Sequence, residues 1–250
     1  MKKVQGIFPG VFTVGNMFCG FLSILSSLDG NASTAAWLVI MAGFFDALDG
    51  WIARFSGSTT KFGIELDSFA DFVSFAIAPA VMLYSFELYI LGKWGFLLGF
   101  VLIVCGAFRL TRFNLSVRSE KKLYYTGLPI PMAAVTFAGY TLFCYTIWGS
   151  LRYPEFLVSM IIALSALMVS SLKYDTLPNA NFRSRHNNFK LIYTLVAIIA
   201  LFVNPRLALF PLGMVYVLSG IAREITGWFY SSQTAEQPHR EAKILRHEER

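Results

Sequence analysis

Four carboxylates stand inside two neighbouring apolar stretches: Asp46 and Asp49 in the first, Asp67 and Asp71 in the second. A charged side chain inside a membrane-spanning helix costs on the order of 3 kcal/mol, so four together call for a use. Their spacing suggests one. Asp46, Asp49, Gly50, Ala53 and Arg54 fall at i, i+3, i+4, i+7 and i+8, which is one face of a helix. Gly63, Asp67 and Asp71 are four apart and line one face of the next helix. Asp46 precedes Arg54 by as many residues as Asp71 follows Gly63. At the α-helical rise, each lies about 12 Å from its helix end. The connection from Phe55 to Phe62 makes the two helices antiparallel neighbours, so the pairs meet at matched depth.

Carboxylates that converge in a poorly solvated place repel one another unless positive charge joins them. Carboxylate oxygens suit Mg²⁺, Mn²⁺ or Ca²⁺. The stretch from Phe44 to Pro79 contains neither His nor Cys, which disfavours zinc. Gly50, Ala53 and Gly63 leave room for a ligand to approach backbone, and Arg54 at the rim suits a phosphate or diphosphate. Metal, carboxylates, small residues and an arginine together describe phosphoryl-transfer chemistry.

The elements that position these residues are membrane helices. Of 250 residues, 56% are hydrophobic and only 14% charged, against about a quarter charged in soluble domains. Apolar runs near the length needed for a bilayer core occupy roughly 11–29, 34–55, 65–91, 94–113, 129–148, 153–173, 189–204 and 207–230. Backbone groups in lipid must be satisfied internally. The expected architecture is therefore all-α: a polytopic bundle of about eight transmembrane helices. Asn204 and Pro205 interrupt the seventh run, and a six-helix arrangement is the alternative.

Of the 21 Lys and Arg, all but Lys93, Arg152 and Arg206 fall on the side of the N-terminus. This bias places both termini, and the aspartates, on the cytoplasmic side of the cell membrane. It also accounts for the net charge of +6 without any nucleic-acid partner. Cys19, Cys105 and Cys144 lie in apolar runs with no ligand spacing, and read as packing residues. Pro9, Gly10 and Asn16 argue against reading the first run as a signal peptide. Residues 1–230 read as one transmembrane catalytic domain and 231–250 as a polar cytoplasmic tail.

The pattern Asp46-x2-Asp49-Gly50-x2-Ala53-Arg54-x8-Gly63-x3-Asp67-x3-Asp71 resembles, at each of its eight fixed positions, the motif of the CDP-alcohol phosphatidyltransferases. The resemblance implies that family's helical fold, commonly dimeric, with a cavity open to the cytoplasm. It also implies two divalent ions held by Asp46, Asp49, Asp67 and Asp71, and a CDP-lipid contacted by Gly50 and Arg54 with Thr60 a further candidate. Asp71 would be the catalytic base. The segments Pro9–Ile24, Phe108–Asn114 and Gly127–Ala134 resemble bacterial and archaeal phosphatidylserine synthases. That subgroup implies CDP-diacylglycerol and L-serine as substrates, CMP as leaving group, and phosphatidylserine as product in phospholipid biosynthesis. Phosphatidylglycerophosphate and archaetidylserine synthases are the neighbouring alternatives within the family.

Two readings stay open at this point. Arg109 and Arg112, three apart at the end of the fourth run and followed by Asn114, could hold the carboxylate of serine or simply anchor the helix at the interface. Intramembrane aspartates also mark cation transporters. Against transport stand the absence of an internal repeat and the position of Arg54 beside the cluster.

Overall fold

The computed structural model describes residues 7–56, 60–117, 125–174 and 199–224. Helix α1 spans Ile7–Leu28 and α2 spans Ala32–Ser56. They are joined by a tight turn in which Gly30 has φ +78°. The third span is one continuous rod in three parts: α3 (Lys61–Asp71), a π-helical segment (Phe72–Ile77) and α4 (Ala78–Phe86). A short 3₁₀ turn at Leu88–Leu91 leads into α5 (Lys93–Val117). Helices α6 (Ile130–Trp148) and α7 (Pro154–Val169) follow. Residues 199–203 are helical, and α8 spans Pro205–Glu224.

Six of these spans are long and apolar enough to cross a membrane, and α7 is a shorter apolar helix. The protein is a multi-pass membrane protein of helical architecture. The seventh expected run is described only from residue 199 onward. The tail from 231 to 250 lies outside the described residues.

Packing follows from where small residues fall. Helices α1 and α2 lie against each other, and α6 sits behind α2. Helix α6 is the most enclosed: Ala133, Ala134, Phe137, Ala138 and Leu142 are buried, and Thr136 and Thr141 turn their hydroxyls to backbone carbonyls one turn back. Its Gly139 lets the backbone of α8 approach closely, since a Cβ there would lie 2.9 Å from the Phe210 nitrogen. Gly213 of α8 in turn faces Thr136, whose Oγ1 would be 2.6 Å from an added Cβ. Aromatic residues on the outer flanks, such as Phe18, Phe96, Phe100 and Phe108, are exposed, as lipid contact requires.

Two further features shape the ends of these helices. Thr60 caps α3, its Oγ1 accepting from the Gly63 N–H at 3.0 Å. Residues 125–126 pair antiparallel with 173–174 (Tyr125 opposite Tyr174, Thr126 opposite Lys173). That pairing needs Gly127 at φ +86°, with its N–H donating to the Leu172 carbonyl at 2.7 Å. A side chain at Gly127 would be strained by that φ and would also sit 2.5 Å from the Met168 carbonyl oxygen.

Candidate metal and phosphoryl-transfer site

Helices α2 and α3 bring three of the four aspartates together. One carboxylate oxygen from each of Asp46, Asp67 and Asp71 lies within 4.8 Å of the others. The antiparallel pairing and the i, i+4 spacing of Asp67 and Asp71 produce this convergence. Asp49 is different. It is 6% exposed, and its Oδ2 accepts a hydrogen bond from the Thr13 hydroxyl of α1. It is not part of the three-carboxylate group.

Helix α1 supplies a second contact that sequence reasoning missed. Asn16 Nδ2 donates to Asp71 Oδ1 at 3.0 Å. The Asn16 carbonyl in turn accepts from the Ser74 hydroxyl at 2.9 Å. Ser74 belongs to the π-helical segment that begins directly after Asp71. One wide turn of this kind is frequent at functional sites. Helix α1 can come this close because residue 20 is glycine: a Cβ there would meet Ser74 Oγ at 2.3 Å and Ser74 Cα at 2.7 Å. The available signal was the spacing of Thr13, Asn16 and Gly20, one turn apart along one face of the first span.

The donor set fits a hard divalent cation. Three negative groups gathered in a partly buried place repel one another, and a cation removes that cost. Among the described residues, Asp49 Oδ1, Asp67 Oδ1 and Asn16 Oδ1 are buried without a hydrogen-bond partner. Buried acceptors are rarely left so; Asp67 belongs to this cluster, Asn16 touches it through Asp71, and Asp49 lies one helical turn from Asp46 on α2. All are oxygen donors, which Mg²⁺, Mn²⁺ and Ca²⁺ prefer.

The remaining expected residues are placed as follows. Gly50 and Ala53 lie on α2 beyond Asp49, and Gly63 opens the first turn of α3. The side chain of Arg54 lies outside the described part. Thr60 already uses its oxygen as a helix cap. Arg109 is 6% exposed, donates through Nε to the Leu128 carbonyl at 3.2 Å, and lies over the Phe113 ring at 5.6 Å. Arg112 donates from Nη1 to the Val169 carbonyl at 2.9 Å and from Nη2 to the Ser170 carbonyl at 2.7 Å, closing the C-terminal end of α7. Asn114 Nδ2 donates to Ser68 Oγ at 2.8 Å, next to Asp67.

A sequence model of the CDP-alcohol phosphatidyltransferases matches residues 6–172, from α1 to the end of α7 and the whole aspartate cluster between. The chain belongs to this family. CDP-alcohol phosphatidyltransferases move a phosphatidyl group from a CDP-activated lipid, so this member is a transferase. Among similar proteins, the CDP-diacylglycerol–serine O-phosphatidyltransferase of Helicobacter pylori is 34% identical over 223 residues, covering 87% of this chain and 90% of the relative. The protein of the same name from Methanocaldococcus jannaschii is 34% identical over 219 residues, 86% of this chain and 92% of the relative. The archaetidylserine synthase of Methanothermobacter thermautotrophicus is 40% identical over 181 residues, 69% of this chain and 72% of the relative.

Proposed function

We propose that this CDP-alcohol phosphatidyltransferase makes phosphatidylserine from CDP-diacylglycerol and L-serine, releasing CMP. The observation that carries the transfer chemistry is the meeting of Asp46, Asp67 and Asp71 across two helices. Support for serine as acceptor comes from the relatives, which are named for serine transfer over most of their length.

Chemistry assigns the roles. The serine hydroxyl oxygen forms a bond to the phosphorus that bears the lipid, and the bond from that phosphorus to CMP breaks. Asp71 takes the hydroxyl proton, the work of a general base in hydrogen-bond reach. Its partner Asn16 occupies Oδ1, which leaves Oδ2 for that proton. Asp46, Asp49, Asp67 and Asp71 are the proposed ligands for two divalent ions, Mg²⁺ or Mn²⁺, with Ca²⁺ the alternative. When bound, such ions neutralise charge building on the diphosphate as CMP departs. Gly50, Ala53 and Gly63 would let the cytidine diphosphate lie close to backbone, with Arg54 and Thr60 at its rim. The acceptor subsite is proposed at the end of α5. There Arg112 spends two of its five donors on α7 carbonyls and offers the others to a carboxylate, flanked by Arg109 and Asn114.

The same reading treats residues 1–230 as one catalytic domain and 231–250 as a tail. It has the protein work in the cell membrane as a homodimer, with the site and both termini toward the cytoplasm. The charge bias of the sequence supports that orientation.

The 40% identical archaetidylserine synthase favours a second reading in which the CDP-lipid is an ether lipid. One assay separates the readings. CMP release by purified protein is measured with CDP-diacylglycerol or its ether counterpart, against serine, glycerol-3-phosphate and inositol. Serine-dependent release, abolished by EDTA and restored by Mg²⁺ or Mn²⁺, is expected. Release with glycerol-3-phosphate alone would overturn the serine assignment and keep the family.

A further inference from the structure

The contacts of α1 divide the four aspartates unequally, and the motif does not announce this. Asp46, Asp67 and Asp71 converge, whereas Asp49 is held by Thr13 on the opposite helix. One turn along α1, Asn16 holds Asp71, and Asn16 is itself fully buried. Its carbonyl is fixed by Ser74 of the π-helical turn, and Gly20 keeps α1 against that turn. Three successive turns of α1 thus act on the site from a helix that carries no acidic ligand. The Asn16 side-chain oxygen, Oδ1, is buried and has no hydrogen-bond partner among the described residues. It lies on the same amide that touches Asp71.

We propose that Thr13 and Asn16 are positioning residues. They make the Asp46–Asp67–Asp71 group a prebuilt site for one divalent cation, and hold Asp49 as the arm of a second cation site completed only when the substrate diphosphate arrives. The amide of Asn16 fixes the Asp71 carboxylate beside Asp46 and Asp67. The Thr13 hydroxyl occupies one oxygen of Asp49, and Oδ1 has no hydrogen-bond partner among the described residues. Diphosphate oxygens are hard ligands of the kind that complete the coordination of a magnesium-like ion. This rests on the metal-dependent reading above, and goes beyond it by assigning order and two neutral residues.

The test uses full-length protein in detergent, with Mn²⁺ followed by electron paramagnetic resonance. Mn²⁺ alone should fill one site per chain, and Mn²⁺ with CDP-diacylglycerol two. Asn16→Leu, similar in volume and without a donor, should weaken the first site about 10- to 100-fold, the usual effect of losing an outer partner of a ligand. Thr13→Val should spare the first site, weaken the second by a similar factor, and lower kcat with little change in KM for CDP-diacylglycerol. Thr13→Ser should restore both. Ser23→Ala, which removes a buried bond from α1 to the Ala35 carbonyl farther from the site, should leave binding and turnover unchanged. Two equivalent sites with Mn²⁺ alone would overturn the proposal. So would wild-type behaviour of Thr13→Val, whose shape keeps the fold intact even if Asn16→Leu does not fold. Equal loss in Ser23→Ala would reduce the effect to helix packing and overturn it as well. Absence of any Mn²⁺ binding to the wild type would remove the metal-dependent reading itself, a distinct outcome.

Discussion

Gly20→Ala offers a direct test of how the site is built. In a free helix this change should stabilise, since alanine exceeds glycine in helix propensity by about 1 kcal/mol. Here the added Cβ would meet Ser74 Oγ at 2.3 Å, Ser74 Cα at 2.7 Å and Ser74 Cβ at 2.9 Å. A rotamer change can move Oγ, but Cα is backbone, so α1 must shift off the π-helical turn. Overpacking of this kind costs about 1–3 kcal/mol. Losing the buried bond from Ser74 to the Asn16 carbonyl adds about 1 kcal/mol. The steric cost wins, and a net loss of roughly 1–3 kcal/mol is expected. The thermal midpoint in detergent micelles should drop by several degrees, and serine-dependent CMP release should fall further than stability alone explains, because Asn16 moves with α1. Ser74→Ala leaves the 2.7 Å approach to backbone in place and should not rescue the double variant. An unchanged or raised midpoint in Gly20→Ala, or full rescue by Ser74→Ala, would falsify the close packing of α1 on this turn.

Other outcomes follow from the same geometry. Asp71→Asn should abolish turnover while CDP-diacylglycerol binding survives; near-normal turnover would remove Asp71 as the base. Arg112→Ala should cost about 1–3 kcal/mol through two lost charge-assisted bonds to α7, and should raise KM for serine with KM for CDP-diacylglycerol held. A loss of stability with KM for serine unmoved would make Arg112 a helix cap only. At the other end of the molecule, burial and the neighbouring Glu155 push the Glu87 carboxyl above its ordinary value. The folded state then holds its proton more tightly than the unfolded chain, so this group favours folding at low pH. That contribution is lost as pH rises from the ordinary glutamate value through the raised one. Glu87→Gln should flatten that slope and raise the midpoint above this window; an unchanged pH profile would show that Glu87 is not responsible.

Much of the site was legible because helical spacing is a strong rule. Asp67 and Asp71, four apart, had to share a face, and so few residues between Ser56 and Lys61 had to keep the third span beside α2. Spacing within a helix, however, does not say which neighbour comes alongside. The hydrogen bond of Asp49 is made with Thr13, 36 positions away. The role of Arg112 depends on carbonyls 57 and 58 positions away. Thr60 directly precedes a helix and carries the ordinary mark of an N-cap, a role that helical spacing alone had not brought out. The π-helical turn at Phe72–Ile77 contains neither glycine nor proline itself, but Pro79 follows directly and has no N–H to give the Phe75 carbonyl one turn back. Gly20 and Gly106 pack closely against the same turn, at Ser74 and Ala76.

The seating of α8 on α6 has a consequence for biosynthesis. The family match ends at residue 172, yet the groove around Gly139 is filled by Leu209 and Phe210. When α6 enters the bilayer, the segment that closes this groove has still to be translated. The nascent chain must therefore hold α6 beside α2 with one flank open to lipid until some sixty further residues emerge. A chain cut just before Pro205 would keep every aspartate and still stall at that stage, an unfinished bundle for membrane quality control to recognise.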